Sequence, residues 1–260
     1  MIQFAAKARR DDPEMTLTRS KYVGPAQPQR TNLAHALDGT NRLPDSRQGD
    51  WLGNQKSIGD QILHYAGDLS LLTRPCVSIV GTREVSEAGK KATDWLARKL
   101  SGQGVVIVSG LAYGVDTVAH SSTIDAGGST VAVIATPLDK ATPSENAELQ
   151  TAIYERHLLI SQFAPGERTH KSSFPLRNRL MATISDATVV MEASDTSGTL
   201  HQAAECTRLG RWLFISKAVV DNPRLTWPHR FLKYDTCVVL ERVSQITDRL
   251  LDQSNRRAND

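Results

Sequence analysis

The first residues with a chemistry in view are Gly81, Thr82 and Arg83, where the apolar run Val77-Ser-Ile-Val80 stops and a helical stretch begins. A strand ending in a glycine turn before a helix gathers backbone N–H groups and the positive end of the helix dipole at one spot. Ser86 is placed to cap that helix, and the Arg83 guanidinium adds a fork of donors, so the turn suits an anion. A single glycine also serves to make a tight connection, so this turn alone does not name a ligand. Ser109 and Gly110 close the next apolar run in the same way, and Ser197, Gly198 and Thr199 follow a later one. The segment Lys171-Ser-Ser-Phe174-Pro-Leu-Arg177-Asn178-Arg179 is different in kind. Cations interleaved with an aromatic suit single-stranded nucleic acid, because the cations track the phosphates while the ring stacks on a base, worth roughly 1–3 kcal/mol per base. Taken singly, a phenylalanine more often packs in a core and an arginine on a helix is more often solvated.

Other chemistries find less support in the residues. There is no GxxxxGK[ST] loop for nucleotide hydrolysis and no GxGxxG after a strand for an ordinary dinucleotide pocket. Asp116 reads as a helix N-cap and His120 as a structural hydrogen-bonding group. His201 and Glu205 lie at i, i+4 spacing but lack a third ligand, so no metal and no cofactor are expected. Cys76, Cys206 and Cys237 are odd in number and widely spaced, which indicates neither a disulfide framework nor a zinc site and suits a reducing cytoplasm.

The elements that position these groups follow from hydrophobic periodicity. Apolar runs at Val77–Val80, Val105–Val108, Thr130–Ile134, Leu158–Ile160, Ala187–Glu192, Trp212–Ile215 and Val238–Leu240 alternate with helical stretches at 86–101, 116–124, 144–156, 177–185, 198–209 and 243–251. This alternation predicts an α/β fold, a doubly wound and mostly parallel Rossmann-like sheet with an N-terminal extension. In such sheets ligands lie beyond the carboxyl ends of the strands. Gly81 to Arg83, Ser109-Gly110, Thr136-Pro137, Ser161-Gln162 and Ser194 to Thr199 all fall at those ends, so they are expected to share one edge. Residues 1–56 are rich in Asn, Gln, Arg, Asp, Gly and Pro and read as an extended arm, with Leu33 to Leu37 the best short helix. Residues 57–255 form the domain proper, its entry (Ile58, Ile62, Leu63, Leu69 to Leu72) read as a helix and a short strand.

In 260 residues, 31 Lys and Arg oppose 28 Asp and Glu, for a net charge of +3. That balance permits a nucleic-acid partner without requiring one, so local clustering decides. No apolar stretch is long enough for a membrane span, and the N-terminal residues lack the apolar segment of a signal peptide.

Several blocks, in order, resemble the DprA/Smf family of DNA-processing proteins. They are Val77-Ser-Ile-Val-Gly-Thr-Arg-x-x-Ser86, Ser109-Gly-Leu-Ala-x-Gly-Val-Asp-x-x-Ala-His120, Gly127-Gly-x-Thr-Val-Ala-Val133, Pro143-x-Glu-Asn146, Phe174-Pro-x-Arg-Asn-Arg179, and Glu192-Ala followed by Ser197-Gly-Thr199. The resemblance covers about residues 69–217 and implies a Rossmann-like domain, not an enzyme, that binds single-stranded DNA and hands it to a RecA-type recombinase in natural transformation, with a homodimer as the assembly. It carries the DNA pocket onto Arg83, Ser109, Gly110, Lys171, Phe174, Arg177 and Arg179.

The chain departs from the family at Ala135-Thr136-Pro137-Leu138-Asp139, where Gly-x-Gly-Leu-Asp is usual, at Ser161-Gln162 for Ser-Glu, and at Ser216-Lys217 for Pro-Gly. The winged helix that follows in many relatives is not expected here. Two other functions stay open. A sensor of a free nucleotide needs the same phosphate donors. A nucleotide-cleaving phosphoribohydrolase of the LOG type belongs to the wider superfamily, but Gln202 stands where its carboxylate would, and an amide does no acid–base work at neutral pH.

Overall fold

The computed structural model describes residues 22–44 and 58–259, with side chains to Leu251. Its strands are β1 (Gln29–Asn32), β2 (Ile62–Gly67), β3 (Cys76–Val80), β4 (Val106–Ser109), β5 (Thr130–Ile134), β6 (Leu158–Ser161), β7 (Ala187–Val190), β8 (Trp212–Ser216) and β9 (Cys237–Leu240). Among the described residues they form one nine-stranded sheet in the order β1-β2-β6-β5-β4-β3-β7-β8-β9. The strands from β3 to β9 pair in parallel, and β1 and β2 extend the β6 edge antiparallel. Expected apolar runs and observed strands coincide to within a residue or two, because a run buried on both faces has no amphipathic alternative.

The helices are α1 (Leu33–Ala36), α2 (Glu87–Ser101), α3 (Val115–Asp125), α4 (Ala147–Arg156), α5 (Ser173–Ile184), α6 (Thr199–Arg208), α7 (Lys217–Val220), α8 (Pro228–Phe231) and α9 (Ser244–Asn259). They cover both faces of the sheet. Val77 and Ile79 of β3 and Ile107 of β4 pack with Leu96 and Leu100 of α2, Ala119 of α3 and Ile246 of α9. Cys76, Val80, Val106 and Val108, pointing the other way along the same strands, pack with Leu180 and Ile184 of α5 and Ala203 and Cys206 of α6. Period-two alternation thus feeds two cores from one set of strands.

The N-terminal reading needs correction where the structure describes it. Residues 22–44, expected from composition to belong to a loose arm, add edge strand β1 and bury Leu33, Ala36 and Leu37. Arg42 is fully buried: its guanidinium donates to the carbonyls of Ile184 (2.5 Å), Leu72 and Arg74 (3.3 Å) and lies 3.8 Å from the Asp186 carboxylate. One arginine satisfies several strand- and helix-end carbonyls, a role that polar composition does not reveal. The rest of the proposed arm, 1–21 and 45–56, lies outside the described residues. The segment from Ile58 holds β2 between short 3-10 turns rather than the helix expected there, and α9 runs on to Asn259.

Strand order reverses around β3, which has β4 on one side and β7 on the other. The connections leaving β3 and β7 therefore part to opposite faces and leave a crevice beyond Val80 and Val190.

Candidate functional site

The turn after β3 is fixed by backbone rather than side chains. Thr82 N donates to Glu192 O (2.6 Å), and Val115 N, at the start of α3, donates to Thr82 O (3.2 Å). A Cβ on Gly81 would come within 2.8 Å of Glu192 O, so the crossing of the β3 and β7 exits demands glycine. Ser86 caps α2 as expected, accepting from Gly89 N (3.0 Å), while its own N and Oγ each donate to Glu192 Oε2 (3.1 Å). This ties its hydroxyl into the scaffold. Arg83 is left exposed, its guanidinium 5.8 Å from the centroid of the Phe174 ring. Among the described residues no carboxylate forms an ion pair with it.

Helix α5 begins at Ser173, four residues before the start expected at Arg177; Ser173 Oγ accepts from His170 N (3.1 Å), and Pro175 in the first turn needs no donor there. The earlier start puts Phe174, Arg177 and Asn178 on one face at i, i+3 and i+4. The Phe174 ring is half-buried and belongs to none of the apolar clusters.

Arg177 is buried. Its Nη1 donates to Gly110 O and Val133 O (3.1 Å), and its Nε to Asn178 Oδ1 (2.9 Å), so it braces the ends of β4 and β5. A Cβ on Gly110 would overlap this guanidinium. Asp116 is not the cap of α3: Gly114, at φ 75°, holds that position, and Asp116 lies buried in the first turn, where Oδ2 accepts from Gly110 N (3.2 Å) and Ala112 N (3.3 Å). Burial pushes the Asp116 carboxyl up, and nearby Arg177 and the two amides pull it back only in part. Burial and the neighbouring Arg83 charge lower Arg177, with Asp116 opposing. The guanidinium still stays charged.

The third turn closes the pocket. Thr199 Oγ1 donates to Gly81 O (3.2 Å), Asn178 Nδ2 to Gly198 O (3.2 Å), and Thr199 N to Ser197 Oγ (3.2 Å). The Gly198 amide, at the N-terminus of α6, has no hydrogen-bond acceptor among the described residues. The result is a pocket of about 340 Å³ at the strand-order reversal. It brings together Gly81, Thr82, Arg83, Phe174, Arg177, Asn178, Ser197, Gly198 and Thr199. Gly110 lines a smaller adjoining pocket of about 130 Å³ that shares Arg83, Phe174 and Arg177.

Four expected residues stand apart from both pockets. Ser86 faces α2 and Glu192, Ser109 is buried with Oγ donating to Ile79 O (2.7 Å), and Lys171 is exposed ahead of α5. Arg179 pairs with Glu205 (3.0 Å). That pair, with Arg208 on the same carboxylate (2.8 Å), also uses the acid once weighed as a metal ligand with His201. No group able to hold a metal ion occurs among the described residues. His120 is structural as expected, buried with Nδ1 2.7 Å from Thr130 Oγ1 and pushed by burial down to about 3. Gln202 is buried at the pocket floor with its amide 3.3 Å from Thr188 Oγ1. Among the lining residues that the sequence reading did not place at the site are Asp116, here a loop clamp, and Tyr113. The Gly-Val-Asp after the second turn was the available signal for the first; nothing distinguished the tyrosine.

The family model described as DNA recombination-mediator protein A matches residues 54–251. The chain is 41% identical over 162 residues to the DNA processing protein DprA of Streptococcus pneumoniae, covering 62% of this chain and 57% of the relative. It is 33% identical over 209 residues to that of Bacillus subtilis, covering 78% and 69%. Against the curated relatives from Streptococcus and Synechocystis the match spans 57% and 39% of their own lengths. Among solved structures, DprA from Streptococcus pneumoniae aligns with TM-score 0.68 at 30% identity over 84% of this chain and 72% of that one. A structure of DNA processing protein A from Helicobacter pylori, described for its single-stranded DNA binding mode, aligns with TM-score 0.68 at 27% identity over 86% of this chain and 96% of that one.

Proposed function

We propose that this chain, which belongs to the DNA recombination-mediator protein A family, binds single-stranded DNA at the strand-order reversal of its sheet. The observation that carries the reading is the Arg83 guanidinium 5.8 Å from the centroid of the Phe174 ring, both lining the pocket that the Gly81 and Gly198 turns also border. A cation without a carboxylate partner meets a phosphate, and a half-buried ring outside the cores meets a base. The Helicobacter pylori relative described for its single-stranded DNA binding supports the same ligand. Arg177 acts from beneath, holding the Gly110 turn open, and Asn178 and the Gly198 amide supply further polar contacts.

Binding rather than hydrolysis fits the residues at the pocket. Gln202 does no acid–base work at neutral pH, and the Asp116 carboxylate is committed to two amides, which leaves the exposed Glu84 as the other acid lining the pocket. A RecA-type recombinase as recipient, a homodimer and a role in natural transformation are expectations that the family brings; they rest on it alone. No helix among the described residues is long and apolar enough to cross a membrane, and a chain that handles DNA belongs in the cytoplasm. The sensor reading survives as the alternative because the pocket can hold one nucleotide.

Binding of single-stranded DNA, duplex DNA and free mononucleotides, titrated over a salt series, tests the proposal. Affinity for single strands that exceeds both others and falls steeply with salt is expected. Tight binding of a mononucleotide with none of the polymer would establish the sensor instead.

A further inference from the structure

Tyr113 is one of the few large hydrophobic side chains exposed among the described residues, at 42%, and it sits beside the site. It lines the 130 Å³ side pocket together with Phe174, Arg83, Ala135 and Pro143. That volume is below the range of whole-ligand sites, and its walls are mostly ring and methyl groups, so it suits a base rather than a complete nucleotide. The backbone carrying Tyr113 is pinned on every side. Leu111 O accepts from Asn146 Nδ2 (3.0 Å), Ala112 O from Thr117 Oγ1 (2.7 Å), and Gly114 packs against the carbonyls of Thr82 and Arg83. Leu111 itself holds φ 57°, a left-handed conformation that a branched side chain keeps only where its surroundings over-determine it. The Tyr113 hydroxyl donates to Glu145 Oε2, which also accepts from Ser144 Oγ (3.1 Å), so the ring is anchored at its far end. An anchored, exposed ring on a fixed loop loses little freedom when a base stacks on it.

We infer that Tyr113 is a second stacking ring: one base lies in the side pocket between Tyr113 and Phe174, its neighbour occupies the larger pocket, and Arg83, which borders both, meets the phosphate between them. This rests on the single-stranded DNA reading and adds to it a path and a minimum length of two nucleotides. It also accounts for the shared wall, since Phe174, Arg83 and Arg177 line both cavities. Stacking is indifferent to base identity because every base offers a π face, so the site is length-selective before it is sequence-selective.

Binding of 5′-phosphorylated thymidine mono-, di- and trinucleotides to the wild type, Tyr113→Ala, Tyr113→Phe and Arg83→Ala tests the inference, with thermal melts confirming each variant's fold. The wild type is expected to gain affinity from mono- to dinucleotide. Tyr113→Ala should lose roughly 5- to 150-fold on the dinucleotide, the range for removing one stacked base, and little on the mononucleotide, while Tyr113→Phe keeps the gain. A folded Tyr113→Ala that binds every length as the wild type does would overturn the inference alone. Equal losses in Tyr113→Phe and Tyr113→Ala would overturn it too, assigning the effect to the Glu145 contact. A wild type that binds no oligonucleotide, or binding untouched by Arg83→Ala, would instead sink the reading beneath it.

Discussion

At Arg177 the guanidinium holds two buried strand-end carbonyls and lies beside the buried Asp116, while at Arg83, which lines the same pocket, it is exposed and lies over the Phe174 ring. Truncation should separate the two residues. Arg177→Ala leaves carbonyls and a carboxylate without their partner and should cost about 3 kcal/mol of stability. Arg83→Ala should leave the melting temperature nearly unchanged and weaken single-strand binding several-fold. The reverse pattern in melts and binding would exchange their roles. Phe174→Ala should erode the preference for single strands over duplex, at a stability cost below the ~3–5 kcal/mol of a fully buried phenylalanine. The sequence displayed these side chains as one basic, aromatic segment but not which were buried, because burial depends on where Gly110 and Val133 arrive from other strands. His120 carries a pH signature. Its folded value near 3 lies below the ordinary one, so the unfolded chain binds more protons between the two, and stability is full above about 6.5 and falls as pH drops toward 3. His120→Gln should flatten the dependence of the urea midpoint on pH in that window; an unchanged slope would show that the ring titrates normally.

Elements whose signal is local were legible. The strands β3 to β9 are short apolar runs between turn residues, and α2 carries both its cap and an apolar stripe. The start of α5 was not set by the charged residues that drew the eye but by Ser173 and Pro175, whose first-turn preference was there to be read. The packing of residues 22–44 could not be read locally, since it depends on Arg42 reaching carbonyls at Leu72 and Ile184 and the acid at Asp186. Asp186 in turn accepts from Cys76 N (2.8 Å), which ties the start of β3 to the same cluster. Arg42→Ala should therefore lower stability by about 3–5 kcal/mol, as removal of one partner from a buried pair does. Adding Asp186→Asn should restore part of that loss in a double-mutant cycle. Additive losses would mean that Arg42 acts through its carbonyl contacts only.

Across the whole molecule the sheet has a division of labour between its ends. At the amino ends of β3 and β7, Arg42, Asp186 and Arg74 bind the chain to itself; at the carboxyl ends, the Gly81, Gly110 and Gly198 turns border a site with an exposed cation, Arg83, a ring, Phe174, and the Gly198 amide. A ligand at the second end should stabilise the fold by mass action, about 2.7 kcal/mol at a hundredfold excess over Kd, without tightening the first. Hydrogen exchange with and without single-stranded DNA reads this directly. Extra protection is expected at 81–86, 110–116, 173–178 and 196–200, and none beyond the uniform rise from global stabilisation at 29–44 and 72–76. The reason is geometric: the Arg42 guanidinium donates to the carbonyls of Ile184, Leu72 and Arg74, none of which lines the pocket, and the central strands between the two ends are already buried. Protection at 29–44 that exceeds the rise in the central strands would show that the N-terminal segment responds to DNA, making it part of the binding apparatus rather than a seal on the sheet edge.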